Sequence, residues 1–126
     1  MGIENNEIVI ATTWDNKIIE EIKEWISKEI PSAFQKLFVF IPSIVNTKTT
    51  IIFGPTGSKK GWETDIKGEE LRNKFIKKLG SYDYIFDGIN EGSPFDFVEV
   101  GYGECGQKIL RGNCKNQIDN KEYHYE

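Results

Sequence analysis

Apolar residues along this chain follow two periodicities, and the switches between them mark its elements. Residues 7–12, Glu-Ile-Val-Ile-Ala-Thr, are rich in β-branched side chains and read as a first strand. Asp15 stands where a helix N-cap belongs. Ile18, Ile19, Ile22, Trp25, Ile26 and Ile30 follow at helical spacing, and Pro31 ends the run. Glu24 and Lys28 make a favourable i,i+4 pair on the outer face of that helix. Residues 38–41, Phe-Val-Phe-Ile, form a continuous apolar run, the pattern of a strand buried on both faces. Residues 49–53 read as another strand, and 42–48 can join the two as a hairpin. A second helix is expected to begin near Lys67 or Gly68. Its apolar face is Leu71, Phe75, Ile76 and Leu79, and Gly80 suits its C′ position. Residues 81–94, with Gly88, Gly92 and Pro94, read as irregular. In residues 95–102, Val98, Val100 and Tyr102 alternate with Phe97 and Glu99. Residues 103–106 can turn this strand into a last one over 107–111.

The resulting order is β-α-β-β-α-β-β. Its natural solution is an α+β domain of two layers, with two helices on one face of a mainly antiparallel sheet. A ferredoxin-like arrangement with an added strand fits that order. At 126 residues the chain is read as one domain over 1–126, with a polar tail from about residue 112.

Composition narrows the function. A formal net charge of −4 argues against general nucleic-acid binding, which needs a basic face to displace counterions. No apolar run approaches the roughly 18 residues that span a bilayer. The first residues, Met1-Gly2-Ile3-Glu4-Asn5-Asn6, lack the basic and apolar stretches of a secretory signal. A cytoplasmic protein without a membrane partner is therefore expected. In that compartment Cys105 and Cys114 would be free thiols, although a hairpin could bring them together.

Catalytic constellations are missing from the sequence. The only histidine, His124, lies in the polar tail, so Ser-His-Asp, Cys-His and zinc chemistry are not expected. Asp83, Asp87, Glu91, Asp96, Glu99 and Glu104 occupy a stretch without Lys or Arg, but their spacing matches no metal loop and reads as a solvated acidic face. The expectation is a non-enzyme with no cofactor and no metal.

Residues 54–62, Gly-Pro-Thr-Gly-Ser-Lys-Lys-Gly-Trp, carry the most specific chemistry. Glycines let a ligand approach the backbone, and successive N–H groups form an anion-binding concavity. Gly57, Ser58, Lys59 and Lys60 would hold phosphates, and Trp62 offers a face on which a base can stack. The spacing is not that of a P-loop. Trp14 lies at the start of the first helix, where N–H groups favour negative charge. Arg72 and Tyr102 complete the candidate ligand set, although solvation is the ordinary state of an arginine on a helix.

The segments Gly57-Ser58-Lys59-Lys60-Gly61-Trp62, Leu71-Arg72 with Phe75, Ser93-Pro94, and residues 96–103 together resemble a group of small proteins carried by bacteria and their phages. The resemblance covers roughly residues 38–106. It implies a phage or mobile-element setting and transfers no catalytic residue.

Two readings follow. In one, the protein sequesters an anionic, nucleotide-like ligand such as an immune signal, as a homo-oligomer with pockets formed between subunits. In the other, it is an immunity or anti-defence protein. There the acidic stretch, with Tyr82, Tyr84 and Phe86 interleaved, would bind a basic enzyme.

Overall fold

A β-branched segment with alternating burial needs neighbours on both edges, and the first strand has them. In the computed structural model, which describes residues 3–83, 85–90 and 92–114, β1 (Asn5–Thr13) is the central strand of five. The other elements are α1 (Asn16–Glu29), the short α2 (Ser32–Gln35), β2 (Phe38–Pro42), β3 (Thr49–Phe53), α3 (Glu63–Leu79), a hairpin of β4 (Ile85–Phe86) and β5 (Ile89–Asn90), β6 (Phe95–Gly103) and β7 (Gly106–Gly112). The sheet order is β2-β3-β1-β6-β7, and every neighbouring pair is antiparallel. β3 lies between the strands that α1 connects, and β1 between those that α3 connects. This is the order of two interlocked split β-α-β units, the ferredoxin-like arrangement, with β7 added at one edge.

Both helices cover the same sheet face. Val9, Ala11 and Thr13 of β1, Ile51 and Phe53 of β3, Phe38 of β2 and Phe95 of β6 are buried there. Ile18, Ile19, Ile22 and Ile26 of α1 and Leu71, Phe75 and Leu79 of α3 complete the core. Phe38 stacks on Phe53 at 4.1 Å between centroids, and Phe75 meets both rings edge-on at 5.2 and 6.1 Å. Each such side chain contributes roughly 1.5–3 kcal/mol by leaving water. Asp15 caps α1 as its position implies, accepting from the N–H groups of Lys17 and Ile18. Lys28 and Glu24 pair at 2.8 Å.

Four sequence expectations need correction. β2 is an edge strand, with Val39 and Ile41 exposed on the face away from the helices, not a strand buried on both sides. Its continuous apolar run comes from one face meeting the core and the other left uncovered. Residues 81–94 are not wholly irregular, because β4 and β5 form a hairpin around Asp87 and Gly88, both at positive φ (54° and 77°). Helix α3 begins a full turn before Lys67. Its first turn carries no apolar stripe, so periodicity could not reveal it. Asp65 anchors it by accepting from the Gly61 N–H at 3.0 Å, and Glu63 and Asp65 suit the positive end of the helix. Finally, Glu99 is buried, not part of a solvated face. The expected tail falls mostly outside the described residues, as do Tyr84, Glu91 and His124.

Cys105 sits in the turn that opens β7 and Cys114 lies beyond its far end, both exposed as free thiols. Seven residues of strand separate them by about 23 Å, far beyond the roughly 7 Å reach of a disulfide.

Candidate functional site

The two ends of the sheet differ in kind. At the end where β3 stops, residues 54–62 cross toward α3. Gly57 and Gly61 take left-handed backbone (φ 78° and 86°), which lets the loop fold back on itself. Several of its amides are engaged within the protein. Ser58 N–H donates to Thr56 Oγ1 (3.2 Å), Lys60 N–H to the Ile3 carbonyl (2.9 Å), and Trp62 N–H to the Lys59 carbonyl (3.2 Å). Lys59 also bridges to Glu4 alongside the start of β1. Ser58 is buried, its hydroxyl donating to the Lys59 carbonyl.

The cations of this end already face carboxylates. Lys60 Nζ lies 3.1 Å from Glu7 Oε1, and this hydrogen bond is the main cause that holds its pKa above the usual lysine value. Arg72, expected at a solvated position, is only 3% exposed. Its Nη2 donates to Glu7 Oε2, and its Nε lies 3.5 Å from Glu99 Oε2, in ion-pair range but outside hydrogen-bonding geometry. Arg111 donates to both oxygens of Glu99 (2.7 and 3.2 Å), which raises its pKa. Burial forces this pairing, since an isolated buried charge is far costlier than a paired one. Lys59 sits over the Trp62 ring at 5.7 Å, and Trp62 is 57% exposed.

The structure therefore brings Gly57, Ser58, Lys59, Lys60, Trp62 and Arg72 to one end, with Arg72 beneath the surface. Trp14 follows β1 at its opposite end, nine strand residues or about 30 Å away. Tyr102 is at the loop end, but alternation places it on the sheet face away from the helices. An open groove between Phe34 and the first turns of α3, lined also by Glu63, Thr64, Ile66, Lys67 and Glu70, includes none of these residues. Among the described residues, no group of three or more His, Cys, Asp or Glu side chains could hold a metal ion. No helix among them is long and apolar enough to cross a membrane.

The other end of the sheet gathers exposed apolar side chains. The register Thr13↔Thr49, Pro42↔Thr49 and Thr13↔Phe95 puts three connections side by side there. Trp14 follows β1 and is nearly half exposed. Ile44 and Val45 form the tip between β2 and β3, Ile44 fully exposed. That tip is held by Ser43, whose Oγ accepts from Lys48 N–H and donates to the Val45 carbonyl. The β4–β5 hairpin, between the end of α3 and the start of β6, adds Ile85 and Ile89, each 64% exposed, with Asp83 and Asp87 exposed nearby. The sequence pointed to Trp14 as an anion-site residue and to Asp83 and Asp87 as acidic surface, but not to the exposed aliphatics Ile44, Val45 and Ile89. The signals were present: two aliphatics at the centre of a short loop, and an Asp-Gly pair between apolar residues.

Searches of protein-family models, of curated proteins and of solved structures find no match to this chain.

Proposed function

We propose that this is a non-enzymatic protein-binding domain of the inhibitor or immunity kind, which covers a partner with the loops at the Trp14 end of its sheet. One observation carries this reading: Ile44, Val45, Ile85 and Ile89, from two separate connections, are exposed at the same end of the sheet as the half-exposed Trp14. Clustered exposed apolar side chains mark interaction surfaces, and a buried aromatic ringed by aliphatics is the usual anatomy of a binding hot spot. The chain has no Lys or Arg between Leu79 and Gln107. The hairpin thus adds negative charge, which favours a partner whose apolar pocket has a basic rim. The phage or mobile-element setting implied by the resemblance is one where such blocking proteins are at home.

Sequestration of an anionic ligand draws less support from the geometry. Several of the loop's amides, together with Lys60 and Arg72, are engaged within the protein, and Trp14 is too distant to join them.

The test is capture of a partner from the host, followed by reconstitution with the purified partner. Ile85→Ser with Ile89→Ser, or Ile44→Ser with Val45→Ser, should weaken the complex at least about tenfold, roughly the 1.4 kcal/mol or more expected of interface anchors. Lys59→Ala with Lys60→Ala should leave it unchanged, and association should slow as salt rises. Full affinity in both serine variants would remove this end from the interface. Stoichiometric uptake of a nucleotide in native mass spectrometry, lost in the lysine variant, would replace this reading with sequestration.

A further inference from the structure

Among the described residues, strand alternation leaves one whole face of the sheet without a covering layer. Val39 and Ile41 of β2, Ile52 of β3, Ile8 and Ile10 of β1, and Val98, Val100 and Tyr102 of β6 point away from the helices. Ile109 of β7 pairs with Val100 on the same side and is 63% exposed. The rest of that face is Asn6, Thr12, Thr50 and Gln107, with Asp96 as its one charge, at the margin. An antiparallel sheet with one face in water ordinarily alternates apolar-in with polar-out. This one is apolar on both sides.

We infer that a second copy of this chain covers the open face, the two sheets packing front to front with the helices outermost. Two observations select that occupant. The face is nearly uncharged, so its complement must be equally uncharged, and an identical face meets that condition. Its area is sufficient. Five strands at about 4.8 Å and five residues at about 3.3 Å give a footprint of roughly 400 Å² before side-chain relief is counted. Two such flat footprints amount to roughly 800 Å², and the relief of the projecting side chains carries the buried surface past the roughly 1,000 Å² that separates specific interfaces from casual contacts. Aligned packing of two twisted sheets about 10 Å apart is the standard arrangement for such faces.

This inference does not rest on the proposed partner-binding end, which belongs to the loops. Light scattering after gel filtration should give twice the chain mass at high concentration, with dissociation on dilution. Val39→Lys with Ile109→Lys places charges on the two edge strands, where the side chains are already exposed in the single chain. This variant should run as a monomer with an unchanged circular dichroism spectrum. A wild-type monomer at every concentration overturns the inference, and so does a lysine variant that remains dimeric. If the double variant fails to fold, isotope-filtered NOEs in a mixed-label wild-type sample decide without substitution. Intermolecular contacts among the methyls of Ile10, Val98, Val100 and Ile109 support the inference, and their absence overturns it.

Discussion

Arg72 shows how one side chain can change role between sequence and structure. On the helix it reads as a solvated or phosphate-seeking cation. In the fold it lies beneath α3, facing Glu7 of β1 and Glu99 of β6. Nothing in the local pattern announced this, because Glu7 and Glu99 are distant in sequence and only the β1–β6 pairing brings them together. Truncating one member of a buried ion pair leaves the others uncompensated. Arg72→Ala should therefore lower stability by about 3 kcal/mol, at the lower end of the usual range because Lys60 still faces Glu7 and Arg111 still faces Glu99. Urea unfolding should show the midpoint falling at constant slope. Lys60 adds an alkaline edge. Its folded-state pKa is raised, so its contribution is fully present below the ordinary lysine pKa and fades as pH rises through the raised value. Gly68 marks the same crowding. A Cβ there would stand 2.7 Å from Thr56 Cγ2, so the loop and α3 touch where any larger residue would force the Thr56 side chain to shift.

At the scale of elements, legibility followed the source of each signal. Helix α1 was plain because its cap, its stripe of isoleucines and its terminating proline are all local. The Asp15 cap is also testable: Asp15→Ala should cost about 1 kcal/mol, read as a lower thermal midpoint. The start of α3 was hidden because its first turn is held by a side chain reaching back to Gly61 and not by apolar packing. The β4–β5 hairpin was legible in principle, since Asp87-Gly88 matches a two-residue turn whose central residues both need positive φ. Three nearby glycine and proline positions drew attention to irregularity instead. The candidate ligand set gathered residues with suitable chemistry but could not say which carboxylates would neutralise them. That depends on contacts between strands far apart in sequence.

For the whole molecule, the two long helices and the antiparallel sheet follow from periodicity, whereas the short α2 and the open face do not. The alternation of Val98, Val100 and Tyr102 was visible, but which side the helices would cover was not. Stability should be distributed to match. Amide exchange should be slowest in β1, paired on both edges and roofed by both helices, and fastest in the two-stranded β4–β5 hairpin. Equal protection of the hairpin and β1 in the isolated protein would mean that the hairpin packs more tightly than its exposure indicates.

The central position of β1 also governs the order in which the fold can be completed. Asn5 pairs with Gly103 and Thr13 with Phe95, so β1 obtains its second neighbour only once residues 95–103 have been made. Closing so long a loop is entropically slow, and a topology dominated by distant pairings folds on the millisecond-to-second scale, not in microseconds. Until β6 arrives, the β-branched edge of β1 is open to any other strand within reach. A chain truncated before residue 95 cannot shield it, so such a product should aggregate more readily than the 126-residue chain, as turbidity at equal concentration would show.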